Sequence, residues 1–133
     1  MWNRLLAVAV VAACVPNIVR SQIAGDLHAV RPLPGYMCMS LNLNEQQMMD
    51  PSAQVPVLSD PSPESRWVGN AAATVIVASP LREVNGYLRV LKLDGQPGWI
   101  AAKYLKPWRN PGRNGQQCVP SLMSNGRPGF GVR

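Results

Sequence analysis

Gly86-Tyr87-Leu88-Arg89-Val90-Leu91-Lys92-Leu93-Asp94-Gly95-Gln96-Pro97-Gly98-Trp99-Ile100-Ala101 is the stretch that decides the fold. Two short apolar runs flank Asp94-Gly95, the pattern of two antiparallel strands joined by a tight turn. Such a turn calls for positive φ, which Asp tolerates and Gly adopts freely. Working upstream, Ala73-Thr74-Val75-Ile76-Val77-Ala78 is the strongest strand signal, β-branched on both faces and ended by Pro80. Trp67-Val68-Gly69 precedes it, after a turn-rich Ser/Pro loop at 59–65. Gln54 to Leu58 is a β-like run whose Pro56 confines it to an edge or a bulge. Downstream, Ala102 to Tyr104 gives a one-turn helical link into Leu105.

The flanks are less regular. Residues 25–35, with Pro32 and Pro34, read as a linker. Tyr36 to Leu43 partly alternates and predicts a strand. Asn44 then caps one or two helical turns over Glu45 to Met49, which Asp50-Pro51-Ser52 ends. Residues 109–115 form a loop, Gln117 to Met123 turns apolar again, and a Ser124-Asn125-Gly126 turn leads to a loose end. The 133 residues allow one domain; 15% are charged, 24 are Pro or Gly, and 47% are apolar. That balance suits a small loop-rich β fold rather than a helical bundle or a disordered chain. The predicted fold class is therefore all-β, a small, partly open barrel.

The first residues carry a second message. Met1-Trp2-Asn3-Arg4 is a short basic start, Leu5 to Val15 is unbroken apolar, and Pro16 follows. A membrane-spanning helix needs about 20 such residues, so residues 1–24 read as a secretory signal peptide processed between 21 and 25. Val11-Ala12-Ala13-Cys14 offers an alternative, a lipoprotein box with Cys14 as the lipidated residue. Either way Cys38 and Cys118 remain as an even pair, and an oxidising compartment makes a disulfide between them the expectation. Cleavage after Ala24 would lower the net charge from +6 to +4, with 11 basic and 7 acidic residues left. After Asp94 there is no acid, only Lys103, Lys106, Arg109, Arg113, Arg127 and Arg133. Such an end suits contact with anionic envelope polymers or lipid headgroups, or serves as a solvated tail.

Across residues 54–108 the chain resembles the bacterial SH3-like domain family. The resemblance lies in Val55-Pro56-Val57-Leu58 with its Ser/Pro loop, Val68-Gly69, Thr74 to Ala78, and Gly86-Tyr87-Leu88-Arg89-Val90. Its most specific part is Asp94-Gly95-Gln96-Pro97-Gly98-Trp99-Ile100 followed by Tyr104-Leu105. It implies an SH3-like β-barrel of five or six strands in the cell envelope, periplasmic or secreted, that binds peptides, cell-wall fragments or protein partners. Residues 25–53 and 109–133 become N- and C-terminal extensions, clipped together by the disulfide outside the barrel.

Candidate ligand-binding residues are the aromatics Trp67, Tyr87, Trp99 and Tyr104, which can offer flat apolar platforms with a polar edge. Trp67, at the edge of the Pro-rich loop, and Tyr87 are the better groove candidates; for Trp99 a core position is favoured. Met37, Met39, Met48 and Met49 suit either an adaptable contact surface or, the favoured reading, packing of the N-terminal extension. Catalytic residues are not expected. His28 sits in the linker, no Ser or Cys has a base beside it, and Asp60 and Glu64 share a loop where acids are ordinarily solvated turn-formers. Two cysteines and one histidine are too few for a metal centre, no cofactor is implied, and no aromatic-basic platform points to nucleic acid. The expected function is an exported binding module for an envelope peptide or a cell-wall component (peptidoglycan), touching a membrane only if Cys14 is lipidated. The alternative is a structural subunit of an envelope complex.

Overall fold

The computed structural model describes residue 12, residues 25–109 and residues 115–133. The expected signal peptide apart from residue 12, with the lipidation alternative at Cys14, and residues 110–114 of the expected loop lie outside the described residues. No helix of the described residues is long and apolar enough to cross a membrane. The chain is mostly β, in two antiparallel sheets.

The larger sheet has seven strands. They are β2 (Tyr36–Leu41), β3 (Pro56–Leu58), β4 (Trp67–Asn70), β5 (Thr74–Ala78), β6 (Tyr87–Leu91), β7 (Pro97–Ala101) and β8 (Leu105–Pro107), in the spatial order β4-β3-β7-β6-β5-β2-β8. The sheet is open, with β4 and β8 at its ends, and no closed barrel is found among the described residues. A four-residue helix α1 (Glu45–Met48) follows β2, with Asn44 as N-cap: its Oδ1 accepts from Gln47 N at 2.7 Å and Gln47 Oε1 accepts from Asn44 N at 3.0 Å. A 3-10 turn at Ala102–Tyr104 links β7 to β8, as the sequence suggested.

The core follows from alternation. Met39 and Leu41 of β2, Val57 of β3, Val75 and Val77 of β5, Leu88 and Val90 of β6, and Ile100 of β7 point to one side and pack together with Leu105. Gly98 lies on that side too, and a Cβ there would run into Val57 Cγ1, so only glycine lets β7 approach β3 this closely. In β5 the intervening Ile76 is buried as well, opposite Cys38 of β2. Both faces of β5 are covered, which is why it reads as a continuous β-branched run.

What covers the Cys38 face is a second sheet, of three strands: β1 (Ala29–Pro32), β9 (Cys118–Met123) and β10 (Pro128–Val132), with β9 in the middle. Two expectations are corrected here. The 25–35 linker contains a strand, and the loose end after Gly126 is a strand paired with β9 from Pro128↔Leu122 to Val132↔Cys118. The Cys38–Cys118 disulfide forms, with its Cα atoms 6.0 Å apart. It joins the two sheets, however, because Cys38 sits in a strand flanked by β5 and β8 rather than outside the sheet.

Two local readings also change. Of the two places expected for Pro56, the edge is excluded, since β3 lies between β4 and β7, whereas a bulge-type register shift does adjoin it, between Val57 and Leu58; Pro56 is the first residue of β3. In the β6–β7 hairpin, Asp94 does not take positive φ. Gly95 N donates to Lys92 O at 2.9 Å, Lys92 N donates to Gln96 O at 2.8 Å, and Gly95 has φ +86°. This is a three-residue loop with a glycine bulge. The two-residue turn with both central residues at positive φ occurs instead at Asn85 (51°) and Gly86 (81°), closed by paired bonds between Val84 and Tyr87 at 2.9 Å.

Candidate functional site

Three of the four candidate aromatics meet. Trp67 at the start of β4, Tyr87 at the start of β6 and Tyr104 in the 3-10 turn line one groove of about 380 Å³. Pro56, Leu58 and Pro63 supply more of its apolar wall, and Lys103 its one cationic group. The chain brings them together because Leu58 pairs with Trp67 on one side and Trp99 on the other, while Tyr87 pairs with Ala101 just before the turn that carries Tyr104. Paired residues of an antiparallel ladder project to the same face.

The groove is held rather than loose. Trp67 is 56% exposed, yet its indole Nε1 donates to Gly69 O at 2.6 Å and lies 3.0 Å from Asn70 Oδ1. An exposed ring fixed by its own N–H loses little rotamer freedom when something stacks on it. The Ser/Pro loop beside it is tied internally: Ser59 N donates to Arg66 O at 2.8 Å, and Ser65 Oγ lies 2.8 Å from Ser62 O. Asn85 Nδ2 reaches across to Pro61 O at 3.3 Å and couples this loop to the β5–β6 connection. Lys103 Nζ lies 5.0 Å from the Tyr104 ring centroid, a cation–π contact that orients both groups.

Trp99 does not belong to that groove, and it is not core. Its neighbours Gly98 and Ile100 point inward and are buried, so Trp99 projects outward and is half-buried. Arg89, its partner across β6–β7, stands over the ring with the guanidinium carbon 5.8 Å from the centroid. The pair lines a separate hollow of about 630 Å³ with Pro80, Leu81, Arg82 and Val84. Sequence reasoning missed Arg89, although alternation from Tyr87 puts it on the outer face.

The methionines divide. Met39 is core and Met37 packs against it, whereas Met48 and Met49 are exposed, so packing holds for the strand pair alone. His28 is exposed, with Nδ1 2.8 Å from Asp26 O. Asp60 and Glu64 are exposed loop residues; Asp60 Oδ2 accepts from Ser59 Oγ at 3.1 Å. Among the described residues, no three His, Cys, Asp or Glu side chains are grouped to hold a metal ion. Compared with known proteins, the chain matches no family model, no curated protein and no solved structure.

Proposed function

We propose that the protein is an exported, SH3-like binding module that recognises an envelope peptide or a cell-wall component through the groove of Trp67, Tyr87 and Tyr104, without chemistry of its own. The observation that carries this reading is the convergence of three aromatic side chains, from separate elements, on one groove walled by prolines and edged by Lys103. Rigid aromatic rings with a polar rim are the surface on which extended, proline-containing peptides or sugar rings stack. The SH3-like assignment draws support from the short antiparallel strands β3 to β7 and the one-turn link into β8, in the order the family resemblance implies. The Cys38–Cys118 disulfide supports an oxidising compartment and so favours export.

Titration of the purified protein with cell-wall sacculi and with a proline-rich peptide, read by tryptophan fluorescence, tests the proposal. One of the two ligands is expected to bind. Trp67→Ala should weaken that binding by about tenfold or more, as for a central aromatic anchor, with the circular-dichroism spectrum unchanged. Binding of neither ligand, or equal binding by the variant, would overturn the reading.

A further inference from the structure

The hollow under Arg89 has a chemistry that the aromatic groove lacks. Trp99, Pro80, Leu81 and Val84 line it together with two guanidinium groups, Arg82 and Arg89. Leu81 remains 48% exposed. Among the described residues the one ion pair is Lys92–Asp94, on a different turn, so neither Arg82 nor Arg89 has a carboxylate partner. Glu83 adjoins Arg82 in the chain but is not part of the lining. Arg89 is exposed and stands over the indole with its guanidinium carbon 5.8 Å from the ring centroid, a cation–π contact that does not use the N–H groups on the guanidinium edge. That edge matches the two oxygens of a carboxylate.

We propose that this hollow binds the C-terminal carboxylate of a peptide, with Arg89 and Arg82 taking the charge and Trp99, Leu81 and Val84 taking an apolar last side chain. Charge complementarity selects the occupant. Two unpaired cations call for an anion, and walls this apolar suit a singly charged group carrying hydrocarbon better than a strongly hydrated phosphate. Backbone-proximal carboxylate and side chain then enter together, one at the guanidinium edge and one against the ring. The site is distinct from the Trp67 groove and does not rest on the function proposed there.

The test uses acetyl-Gly-Ala-Ala-Leu as the free acid, its C-terminal amide, and acetyl-Gly-Ala-Glu-Leu amide, each titrated against the purified protein by fluorescence. The free acid is expected to bind at least about tenfold more tightly than either amide, since a hydrogen bond to a charged group is stronger than one between neutral groups. Arg89→Gln should remove that preference and Arg82→Gln should reduce it, both with unchanged circular dichroism, and Trp67→Ala should leave it intact. Equal binding of acid and amide, no binding of the free acid, or equal binding of the Glu-containing amide would each overturn the proposal. So would a preference for the free acid that survives Arg89→Gln.

Discussion

The two sheets are built on different principles. The seven-stranded sheet is stabilised by side-chain burial, with valine, leucine, isoleucine and methionine alternating inward along β2, β5, β6 and β7. The three-stranded sheet has less of this: β1 is exposed at all four residues, and the buried residues of β9–β10 are Pro120, on the side of Cys118, and Ser121, Met123, Gly129 and Gly131 on the other. Its strands curl instead. β1 and β10 flank β9, yet a Cβ on Gly131 would lie 3.2 Å from Ala29 Cβ and 2.7 Å from Ser121 Oγ. Close backbone approach and a covalent link to Cys38 do there what apolar area does in the larger sheet. Hydrophobic periodicity detects only the first kind of construction.

The largest effect expected from this contrast is loss of the disulfide. It closes a loop with a sequence separation of 80 residues, for which the loop-entropy account gives about 4.5 kcal/mol and measured removals about 2–5 kcal/mol. In the double variant Cys38→Ala/Cys118→Ala, hydrogen exchange should show the amides of β9 and β10 losing protection well before those of β5 and β6. Equal loss across both sheets would break the distinction, because it would mean that the small sheet docks by burial alone.

Glycine substitutions sharpen it at a smaller scale. Gly98→Ala presses a methyl group onto Val57, a buried β-branched side chain that cannot swing away. It is expected to destabilise the whole domain by about 1–3 kcal/mol, the usual cost of overpacking. Gly131→Ala meets the Ser121 hydroxyl and Ala29, and should loosen the three-stranded sheet with less effect on the global denaturation midpoint. If Gly131→Ala proves the more damaging to global unfolding, the small sheet is the keystone and the ranking reverses.

The same contrast explains what could be read in advance. β2, β5, β6, β7, the capped helix and the 3-10 turn were legible because alternation and capping residues are local signals. β10 was not, since Pro128-Gly129-Phe130-Gly131-Val132 has a loop's composition and its glycines make sense only once the sheet is formed, Gly129 against Met123 and Gly131 against Ser121 and Ala29. The Asn85-Gly86 turn carried a strong hairpin dipeptide, but Val84↔Tyr87 is an isolated bridge and no alternating run precedes it to announce a strand. At the candidate site, each aromatic was visible by type. Trp99 was misplaced inward because its orientation is set by Gly98 and Ile100 facing Val57, a contact between strands far apart in sequence. Arg89 was passed over for the same reason: its role depends on which residue it faces across the ladder.

The smallest effect concerns the turn between β6 and β7, where the larger sheet relies on polar contacts. Asp94 Oδ1 accepts from Gln96 N at 2.9 Å, and Oδ2 lies 3.1 Å from Lys92 Nζ, which also donates to Val68 O at 2.9 Å. The backbone N–H of Gln96, then the Lys92 ammonium, hold the Asp94 carboxyl below its ordinary value. A carboxyl whose pKa is lower folded than unfolded binds more protons in the unfolded chain, so its stabilisation is present above the unfolded value and is lost as pH falls through the folded one. Denaturation midpoints of the wild type and Asp94→Asn, followed from neutral pH into acid, should therefore differ slightly at neutral pH and converge below the carboxylate range. The group is solvated, and salt should shrink the Lys92 part of the difference while leaving the Gln96 part. A gap that persists unchanged at low pH would assign the effect to turn geometry rather than to the charge.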